Sequence, residues 1–420
     1  MSKREIKNLD LKVKYTKEYL DNGGYKKIYF IELLKGLMNV KVDDEGKVDA
    51  DTVSPSVNAF MMVLLQQHLE PPFFSENHSS EYISTLQKSL FFDQDNIDTP
   101  EQFDKIYEEY KNTKDILFRG QREAKWRLYS KLQRFWISDK LREKYQFADF
   151  LKIMVKAGLE NYSKNIRELL KEVHDDSEND IAVMGFLQHH GCPTPLLDWT
   201  FDFKNGLYFG LDGLQPKQNQ TEIEDYFSVY YIEEKHFEGA SMRELMLSSL
   251  EKISAMQLEA MINAIAGNDE KKKAEMTEKF KGGSVFDKSR FAGSGMITYM
   301  TAIERMVTFP ITYFSDRDRE SGIIFSLNNS QNILNQAGVF TWNAETYKPL
   351  EMVGNEQQYS SDKPEEDKGD YRFCQCFNIN KKLSDYIRER LEGDGITKDF
   401  IYPTVEINTY EIFNSCLNNI

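Results

Sequence analysis

The spacing of apolar and polar residues along the chain predicts a domain that contains both strands and helices. Apolar residues at every second position indicate strands, and apolar residues three or four positions apart indicate helices. Strand-like segments occur at 116–119, 196–200, 227–232, 306–314, 322–327, 339–342 and 372–378, and helix-like segments occur at 101–111, 147–173, 181–187, 241–266 and 381–392. We therefore expect an α+β fold with a mixed, mostly antiparallel sheet at its core and helices around it.

The same patterns divide the chain into three parts. Residues 1–80 contain helix-like runs of their own, and we expect a helical N-terminal segment that packs as a cap on the domain. Residues 81–410 hold the α+β domain, and residues 411–420 are expected to be a C-terminal tail. Within the domain, residues 240–290 join a Met-rich amphipathic helix to a charged stretch with few apolar residues, which indicates a helical insertion.

The densest group of chemically capable side chains lies between residues 185 and 200. Gly191 is expected to end the preceding helix, and residues 192–195 must be extended because a proline disfavours the helical conformation in the residue before it. The polar and aromatic members of the group are Gln188, His189, His190, Thr194, Asp198, Trp199 and Thr200. Polar groups held in an apolar frame indicate either a functional site or a structural turn that is only hydrogen-bonded.

Composition narrows the class of protein. The 420 residues carry a net charge of −15, from 53 Lys and Arg against 68 Asp and Glu, which argues against general nucleic-acid binding. The four Cys match neither a disulfide framework nor a paired zinc motif. The N-terminus lacks the apolar core of a signal peptide, and the longest apolar run, 59–65, is far shorter than the ~20 residues of a membrane span. We therefore expect a cytoplasmic protein that does not bind membranes.

Three separated motifs resemble those of the FRG-domain family. Residues 188–200 are similar to the family signature, the tripeptide Phe118-Arg119-Gly120 is the one that names the family, and residues 336–340 match a later Gln-x-Gly-x-Phe element. The motifs occur in the family's order, and the resemblance covers about residues 80–410. Family members are largely bacterial or phage-encoded, so the resemblance implies a role in toxicity or phage defence but no settled common reaction.

The chain departs from the family pattern at three positions. Pro195 stands where the family usually has an Arg, and Gly206 and Gly210 replace the usual alanines. The first departure removes a cation from the presumed site, but Arg119 and Arg122 remain together at the end of a predicted strand. We therefore expect a cationic pocket suited to one small phosphate-bearing ligand.

The order of the motifs is also distantly similar to that of ADP-ribosyltransferases. In those enzymes an Arg on a first strand binds NAD, a Ser or Thr strand follows, and a Glu comes last; the corresponding residues here are Arg119, Thr200 and Gln336. The Arg fork suits phosphate or ribose oxygens. Gln336 cannot supply the required negative charge, so either another acid, such as Asp198 or Glu304, replaces it or the site binds without turnover. The resemblance thus implies an ADP-ribosyltransferase-like fold with NAD as a candidate substrate, and no cofactor is established.

We expect the three motifs to meet at one cleft. The proposed catalytic residues are Arg119, Asp198, Thr200, Gln336 and His189. The proposed ligand-binding residues are Gly120, Gln121, Arg122, Gln188, Thr194, Trp199 and Tyr208, whose aromatic members can stack on a flat ring. The expected partners are a small nucleotide and, if the reaction is a transfer, a protein target.

Structural alternatives remain open for several of these residues. Arg119 is also accounted for as a buried arginine paired with Asp198, and a core histidine bonded to backbone is the commoner role of His189 or His190. A metal set of His189, His190 and Asp198 matches no standard spacing, and a Cys192–His189 pair has little support. Two functions follow: an enzyme that transfers ADP-ribose from NAD or hydrolyses NAD, and a non-catalytic module that binds a ligand or a protein. A carboxylate facing Arg119 favours the enzyme.

Overall fold

The computed structural model describes residues 80–82, 84–89, 91–170, 179–215, 221–237, 240–279, 295–318, 323–327, 331–360, 373–403 and 407–418. The helical cap predicted for residues 1–80 lies outside the described residues except at its last position, and part of the predicted insertion does so too. No helix among the described residues is both long and apolar enough to cross a membrane.

A seven-stranded mixed sheet forms the centre of the described fold. Its strands are β1 (Asp93–Ile97), β2 (Ile116–Gln121), β3 (Leu196–Thr200), β4 (Tyr226–Glu233), β5 (Ile311–Phe314), β6 (Gly338–Asn343) and β7 (Gln375–Asn380). Their order across the sheet is β1-β7-β4-β2-β3-β6-β5. β1 pairs with β7 in parallel, and the other described pairs are antiparallel. The predicted α+β class, with a mixed and mostly antiparallel sheet, is confirmed.

Helices cover both faces of this sheet. The described α-helices are α1 (Thr85–Lys88), α2 (Pro100–Tyr110), α3 (Lys131–Ser138), α4 (Phe147–Leu170), α5 (Asp180–His189), α6 (Phe203–Leu211), α7 (Met242–Ala266), α8 (Glu270–Lys279), α9 (Gly295–Thr301), α10 (Ile303–Met306), α11 (Gln331–Gln336), α12 (Leu350–Ser360), α13 (Ser384–Gly393), α14 (Lys398–Ile401) and α15 (Tyr410–Asn418). Local sequence explains their starts: Thr99 before α2 and Ser130 before α3 each form a capping box with a glutamine three residues later.

Three apolar clusters form the core. Phe118 of β2 and Val229 of β4 pack with α2, α6 and α13 on one face of the sheet. Leu117 and Tyr230 point to the opposite face, because neighbouring strand residues alternate, and they pack with residues near α1 and α12. The third cluster joins β3, β5 and β6 to α4, α5 and α15. The sheet is therefore buried on both faces.

Helix α6 lies unusually close to the sheet. A Cβ atom added to Gly120 of β2 would lie 2.1 Å from the carbonyl oxygen of Gly206 and 2.3 Å from the amide nitrogen of Gly210. Added Cβ atoms on those two helical glycines would in turn press on Phe118 and Phe227. The glycines that depart from the family's alanines therefore set the distance between α6 and β2.

The sheet is nearly divided between β2 and β3. β2 pairs with β4 along its whole length, and β3 does so with β6, but β2 and β3 pair only at Phe118 and Thr200. Beyond that pair, the start of α3 approaches β3 instead, where the Leu132 N–H donates to the Thr194 carbonyl at 3.3 Å. The two strands thus diverge beside Arg119, which leaves a gap between the halves of the sheet.

The strand predicted at residues 322–327 is wrong in its described part, 323–327, which is irregular. The carboxylate of Asp316 accepts the N–H groups of Phe325 and Leu327, each at 2.7 Å, and so takes the place of a neighbouring strand. The side chain of a residue nine positions away thereby binds backbone N–H groups that would pair with another strand if this segment were part of the sheet.

Two other local predictions need correction. Within the strand predicted at 306–314, only β5 is extended, because α10 and a turn occupy the preceding residues. Residues 411–418, predicted as a tail, belong to α15, whose Ile412, Phe413 and Cys416 are buried. The C-terminal helix is therefore part of the core beside α4.

A fully buried lysine fastens α1 to the sheet. Lys88 Nζ donates to Ser228 Oγ and Asn378 Oδ1, both at 2.7 Å, and lies 4.6 Å from the centroid of the Tyr230 ring. No carboxylate pairs with this ammonium within 4 Å among the described residues, and burial lowers its pKa. The unfolded chain therefore binds the lysine proton more tightly than the folded protein does.

We expect Lys88→Met to weaken the alkaline pH dependence of stability. As pH rises through the lowered pKa of folded Lys88 towards the ordinary value of ~10.4, the unfolded state holds a proton that the native state has lost, so the free energy of unfolding increases. Urea unfolding across this range should show a smaller rise for Lys88→Met than for the wild type. The exposed Lys382→Met serves as the control, and parallel curves for all three proteins would show that Lys88 does not titrate there.

Candidate functional site

Helix α5 and strand β3 bring the polar residues of the signature together. Asn179 caps α5 by accepting the Ala182 N–H at 3.2 Å, and the helix stops before Gly191, which has φ = +94°. Glycine adopts this left-handed conformation without a Cβ clash. The Cys192 N–H then donates to the Leu187 carbonyl at 2.9 Å, so the chain turns sharply into β3. The predicted helix stop, extended turn and strand are all present.

A cavity of about 260 Å³ opens beside the gap between β2 and β3. Its lining residues are Arg119, Gly120, Gln188, His189, Asp198, Trp199, Phe209, Asn332, Ile333, Gln336, Gly338, Val339, Phe340 and Tyr402. Consecutive residues of β3, Asp198 and Trp199, both line it, although such residues point to opposite faces of a sheet. The cavity therefore follows the split in the sheet and is not confined to one face.

Hydrogen bonds link the polar residues at one side of this cavity. Arg119 Nη1 donates to the Asp198 carbonyl at 2.6 Å and lies 3.9 Å from the Asp198 carboxylate. Gln188 Nε2 donates to the same carboxylate at 2.8 Å, and Thr194 Oγ1 donates to Gln188 Oε1 at 2.6 Å. The chain of contacts fixes the carboxylate beside the guanidinium, while 49% of the Asp198 side chain stays exposed to the cavity.

The charges of this network are shaped by its enclosure. Loss of hydration inside the partly open cavity raises the pKa of Asp198, whereas the neighbouring Arg119 charge and the Gln188 hydrogen bond act in the opposite direction. Burial also lowers the pKa of His189 to about 3, with a smaller contribution from His190. The lowered pKa favours the neutral imidazole of His189, which can donate or accept a hydrogen bond but brings no positive charge to the cavity.

Two alternatives for the signature lose support. His190 does not line the cavity; its ring lies 4.5 Å from that of Phe186, and its carbonyl accepts the Thr409 N–H. Cys192 is buried beside Met154, and burial raises the pKa of its thiol to about 12, which makes it a poor nucleophile. Among the described residues, no group of three His, Cys, Asp or Glu side chains is placed to hold a metal ion.

Another part of the cavity wall comes from α11 and the chain after α14. Gln336 Nε2 donates to the Ile401 carbonyl at 3.1 Å, and Thr200 Oγ1 donates to the Gln336 carbonyl at 2.6 Å. Asn205 Nδ2 donates to the Asn335 carbonyl at 3.0 Å, which ties the same wall to α6. The Gln336 side chain also lines the cavity, but its amide is already engaged with the backbone.

The structure therefore brings Arg119, Gly120, Gln188, His189, Asp198, Trp199 and Gln336 around one cavity. The other proposed site residues lie elsewhere. Thr194 and Thr200 are fully buried; Thr194 donates to Gln188, and Thr200 donates to the Gln336 carbonyl. Gln121 is buried beside β4, and the Tyr208 ring packs against the lining residues Phe209 and Tyr402. Arg122 does not line the cavity but donates to the Gly213 carbonyl at 3.4 Å.

Sequence reasoning missed part of the lining and named one acid that does not line the cavity. Asn332, Ile333 and Tyr402 were not expected in the site, and the only sequence signal for them is their closeness to the later family motifs. Glu304, the alternative to Asp198 as the catalytic acid, is exposed on α10 and pairs with Lys152 at 2.7 Å. Asp198 is therefore the only carboxylate of a described residue that lines the cavity.

Fold and site together define an α+β protein with a polar cavity at a split in its sheet. A model of the FRG domain matches residues 114–219, a segment that holds β2, α5 and β3. The similarity to the FRG domain is thus shown for this segment of the chain. No curated protein and no solved structure matches the chain at a significant level.

Proposed function

We propose that the cavity binds a nucleotide of the NAD or ADP-ribose kind and that Asp198 supports cleavage of the bond between nicotinamide and ribose. The observation that carries this proposal is the Asp198 carboxylate, which faces Arg119 at 3.9 Å and stays half-exposed to the cavity. An acid in this place supplies the charge that Gln336 lacks. The role fits toxicity or phage defence, in line with the FRG resemblance and the distant similarity to ADP-ribosyltransferases.

The lining suits a ligand with a flat ring and an anionic group. Trp199, Phe209, Phe340 and Tyr402 supply aromatic surface, and Arg119 supplies a cation whose orientation is fixed by the Asp198 carbonyl. Aromatic faces stack on flat rings, and a guanidinium binds phosphate or ribose oxygens through parallel hydrogen bonds. Such a mixture of apolar surface and a few fixed polar groups is typical of small-molecule sites.

The proposed reaction needs little from the protein beyond charge and position. The bond between the ribose carbon and the nicotinamide nitrogen breaks, its electron pair leaves with the nicotinamide, and positive charge develops on the ribose. Asp198, in its ionised form, would stabilise this charge, since a fixed carboxylate in an enclosed site acts more strongly than one in water. Water, or a nucleophile of a protein target, then bonds to the ribose carbon and loses a proton to solvent.

A non-catalytic binding module is the second candidate. Before any ligand binds, the Asp198 carboxylate already has two neighbours, the Arg119 guanidinium and the Gln188 amide. The Gln336 amide likewise already donates a hydrogen bond to the Ile401 carbonyl. These contacts favour a rigid recognition site, in which the same ligand binds without turnover.

We expect Asp198→Asn to reduce nicotinamide release from NAD by about 10²–10³-fold, as the loss of one preorganised electrostatic group does in other enzymes. Asparagine keeps the shape of the side chain and an oxygen for the Gln188 amide, so the fold should persist. Chromatography of nicotinamide from purified protein and NAD measures the rate. The matched control is Asp385→Asn on α13, an exposed acid that pairs with Arg388 at 3.2 Å.

The same assay separates the two candidates. Calorimetric binding of NAD without any nicotinamide release by the wild type would support the binding module and reject catalysis. Equal release by the wild type and Asp198→Asn would remove the acid from the mechanism. No binding of NAD or ADP-ribose to the wild type would overturn both candidates.

A further inference from the structure

A second group of cations lies beside the cavity, around Trp126. The guanidinium carbon of Arg122 lies 5.7 Å from the centroid of the indole, and that of Arg134 lies 5.6 Å from it. Arg134 belongs to α3, the helix whose start approaches β3 where the sheet is split. Burial lowers the pKa of Arg134, and the charge of Arg119 contributes in the same direction, so these two arginines are electrostatic neighbours.

Each of the three arginines donates a hydrogen bond to a backbone carbonyl. Arg119 donates to the Asp198 carbonyl at 2.6 Å, Arg134 Nη2 donates to the Arg127 carbonyl at 2.8 Å, and Arg122 Nη1 donates to the Gly213 carbonyl at 3.4 Å. A backbone carbonyl orients a guanidinium but does not neutralise it. The charges of Arg122 and Arg134 therefore remain for another partner, whereas Arg119 also faces the Asp198 carboxylate at 3.9 Å.

Nearby carboxylates do not supply that partner. Among the described residues, neither Arg122 nor Arg134 has a carboxylate within 4 Å, and the closest one to Arg119 is Asp198 at 3.9 Å. Glu123 is paired with Lys381 at 2.9 Å and Glu224 with Lys125 at 3.1 Å. The buried Glu351 accepts from the Tyr82 hydroxyl and the Leu128 N–H.

An excess of fixed positive charge at one place is unexpected in a chain of net charge −15. Holding like charges together is unfavourable unless a ligand of opposite charge joins them. The cavity of about 260 Å³ is also smaller than the ~300–1,000 Å³ typical of ligand pockets, so a dinucleotide must extend beyond it. The two arginines around Trp126 are candidates to hold the part that extends, because Arg134 belongs to the helix whose start approaches β3 beside the split and is an electrostatic neighbour of Arg119.

We propose that Arg134 and Arg122, together with Arg119, form a subsite for a diphosphate group at the side of the cavity, with Trp126 as the plane that holds the two outer guanidinium groups. A diphosphate offers enough acceptor oxygens for several guanidinium groups, which bind such oxygens in pairs. The subsite extends the proposed function by naming the phosphate-bearing part of the ligand. It does not require that the ligand be cleaved.

Calorimetry with ADP, inorganic pyrophosphate and adenosine tests the subsite. The wild type should bind ADP much more tightly than adenosine. Arg134→Gln should lower the affinity for ADP and for pyrophosphate by about tenfold or more, which is the effect of one charge-assisted hydrogen bond. The affinity for adenosine should not change. Arg305→Gln is the matched control, because Arg305 is exposed on α10 and stacks on Tyr299. If ADP binds but pyrophosphate alone does not, the subsite recognises the diphosphate of a nucleotide and not a free anion.

Arg122→Gln keeps the test decisive if Arg134→Gln does not fold. Arg122 is exposed, so its loss should leave the fold intact and still weaken ADP severalfold. Equal ADP affinity in the wild type and both variants would overturn the inference, and so would a parallel loss of ADP and adenosine. If ADP binds as expected but NAD is not cleaved, the proposed catalysis fails while the diphosphate subsite stands.

Discussion

Arg119→Ala should abolish measurable binding of NAD and ADP-ribose. Removing one partner of an enclosed charge-assisted contact typically costs ~2–5 kcal/mol of binding free energy, because the other partner is left unpaired. Arg119→Lys should restore little of this affinity, since an ammonium lacks the planar fork and cannot hold the Asp198 carbonyl and the ligand in the same geometry. Calorimetry on the wild type and both variants measures the loss.

Circular dichroism and thermal unfolding are the controls for this experiment. The charge-assisted hydrogen bond from Arg119 to the Asp198 carbonyl contributes ~1.5–3 kcal/mol to stability, less than the ~5–15 kcal/mol of a typical domain, so the Ala variant should remain folded. Unchanged affinity in a folded variant, or unfolding of Arg119→Ala, would give the residue a structural role. The second outcome would mean that the arginine joins β2 to β3 across the gap and does little else.

Gly120→Ala should destabilise the protein by ~3 kcal/mol or more, at or above the upper end of the usual cost of overpacking. The added methyl group would meet the Gly206 carbonyl and the Gly210 amide nitrogen at 2.1 and 2.3 Å. Both are backbone atoms of α6, so no side-chain rotation can relieve the contact. The helix must move away from β2, which opens the apolar cluster around Phe118.

Urea unfolding of the wild type and the variant measures this cost. Gly393→Ala is the matched control, because a Cβ there has no atom within 4 Å and alanine is the better helix former by ~1 kcal/mol. The control should be neutral or slightly stabilising. A loss of less than about 1 kcal/mol for Gly120→Ala would show that α6 is free to shift and that the close approach is not required.

Much of the fold was predictable because the apolar pattern is local. Strand β3 has the predicted bounds, and α5 and α7 agree with their predictions to within two residues at each end. The failures share a cause: distant side chains decide the local structure. The carboxylate of Asp316 prevents a strand at residues 323–327, and packing against α4 makes a helix of residues that were expected to be a tail.

In the site, too, the residues that are close in sequence could be predicted and the distant ones could not. Gln188, His189 and Asp198 could be grouped from sequence because thirteen residues contain the whole signature. Tyr402 could not, because it reaches the cavity only through contacts such as that of Gln336 with the Ile401 carbonyl, 65 positions away. Arg134 was not considered either, since no motif contains it and its place beside Trp126 depends on the turn between β2 and α3.

The single pair between β2 and β3 has a mechanical consequence. Four strands lie on one side of this seam and three on the other, and backbone hydrogen bonds hardly cross it. We therefore expect each side to open as its own cooperative unit, and the apolar cluster that contains Leu117 and Trp199 restrains this opening because it spans the seam. A ligand that contacts Arg119 on one side and Asp198 on the other would link the two units. Ligand binding would therefore reduce the relative motion of the two halves of the sheet.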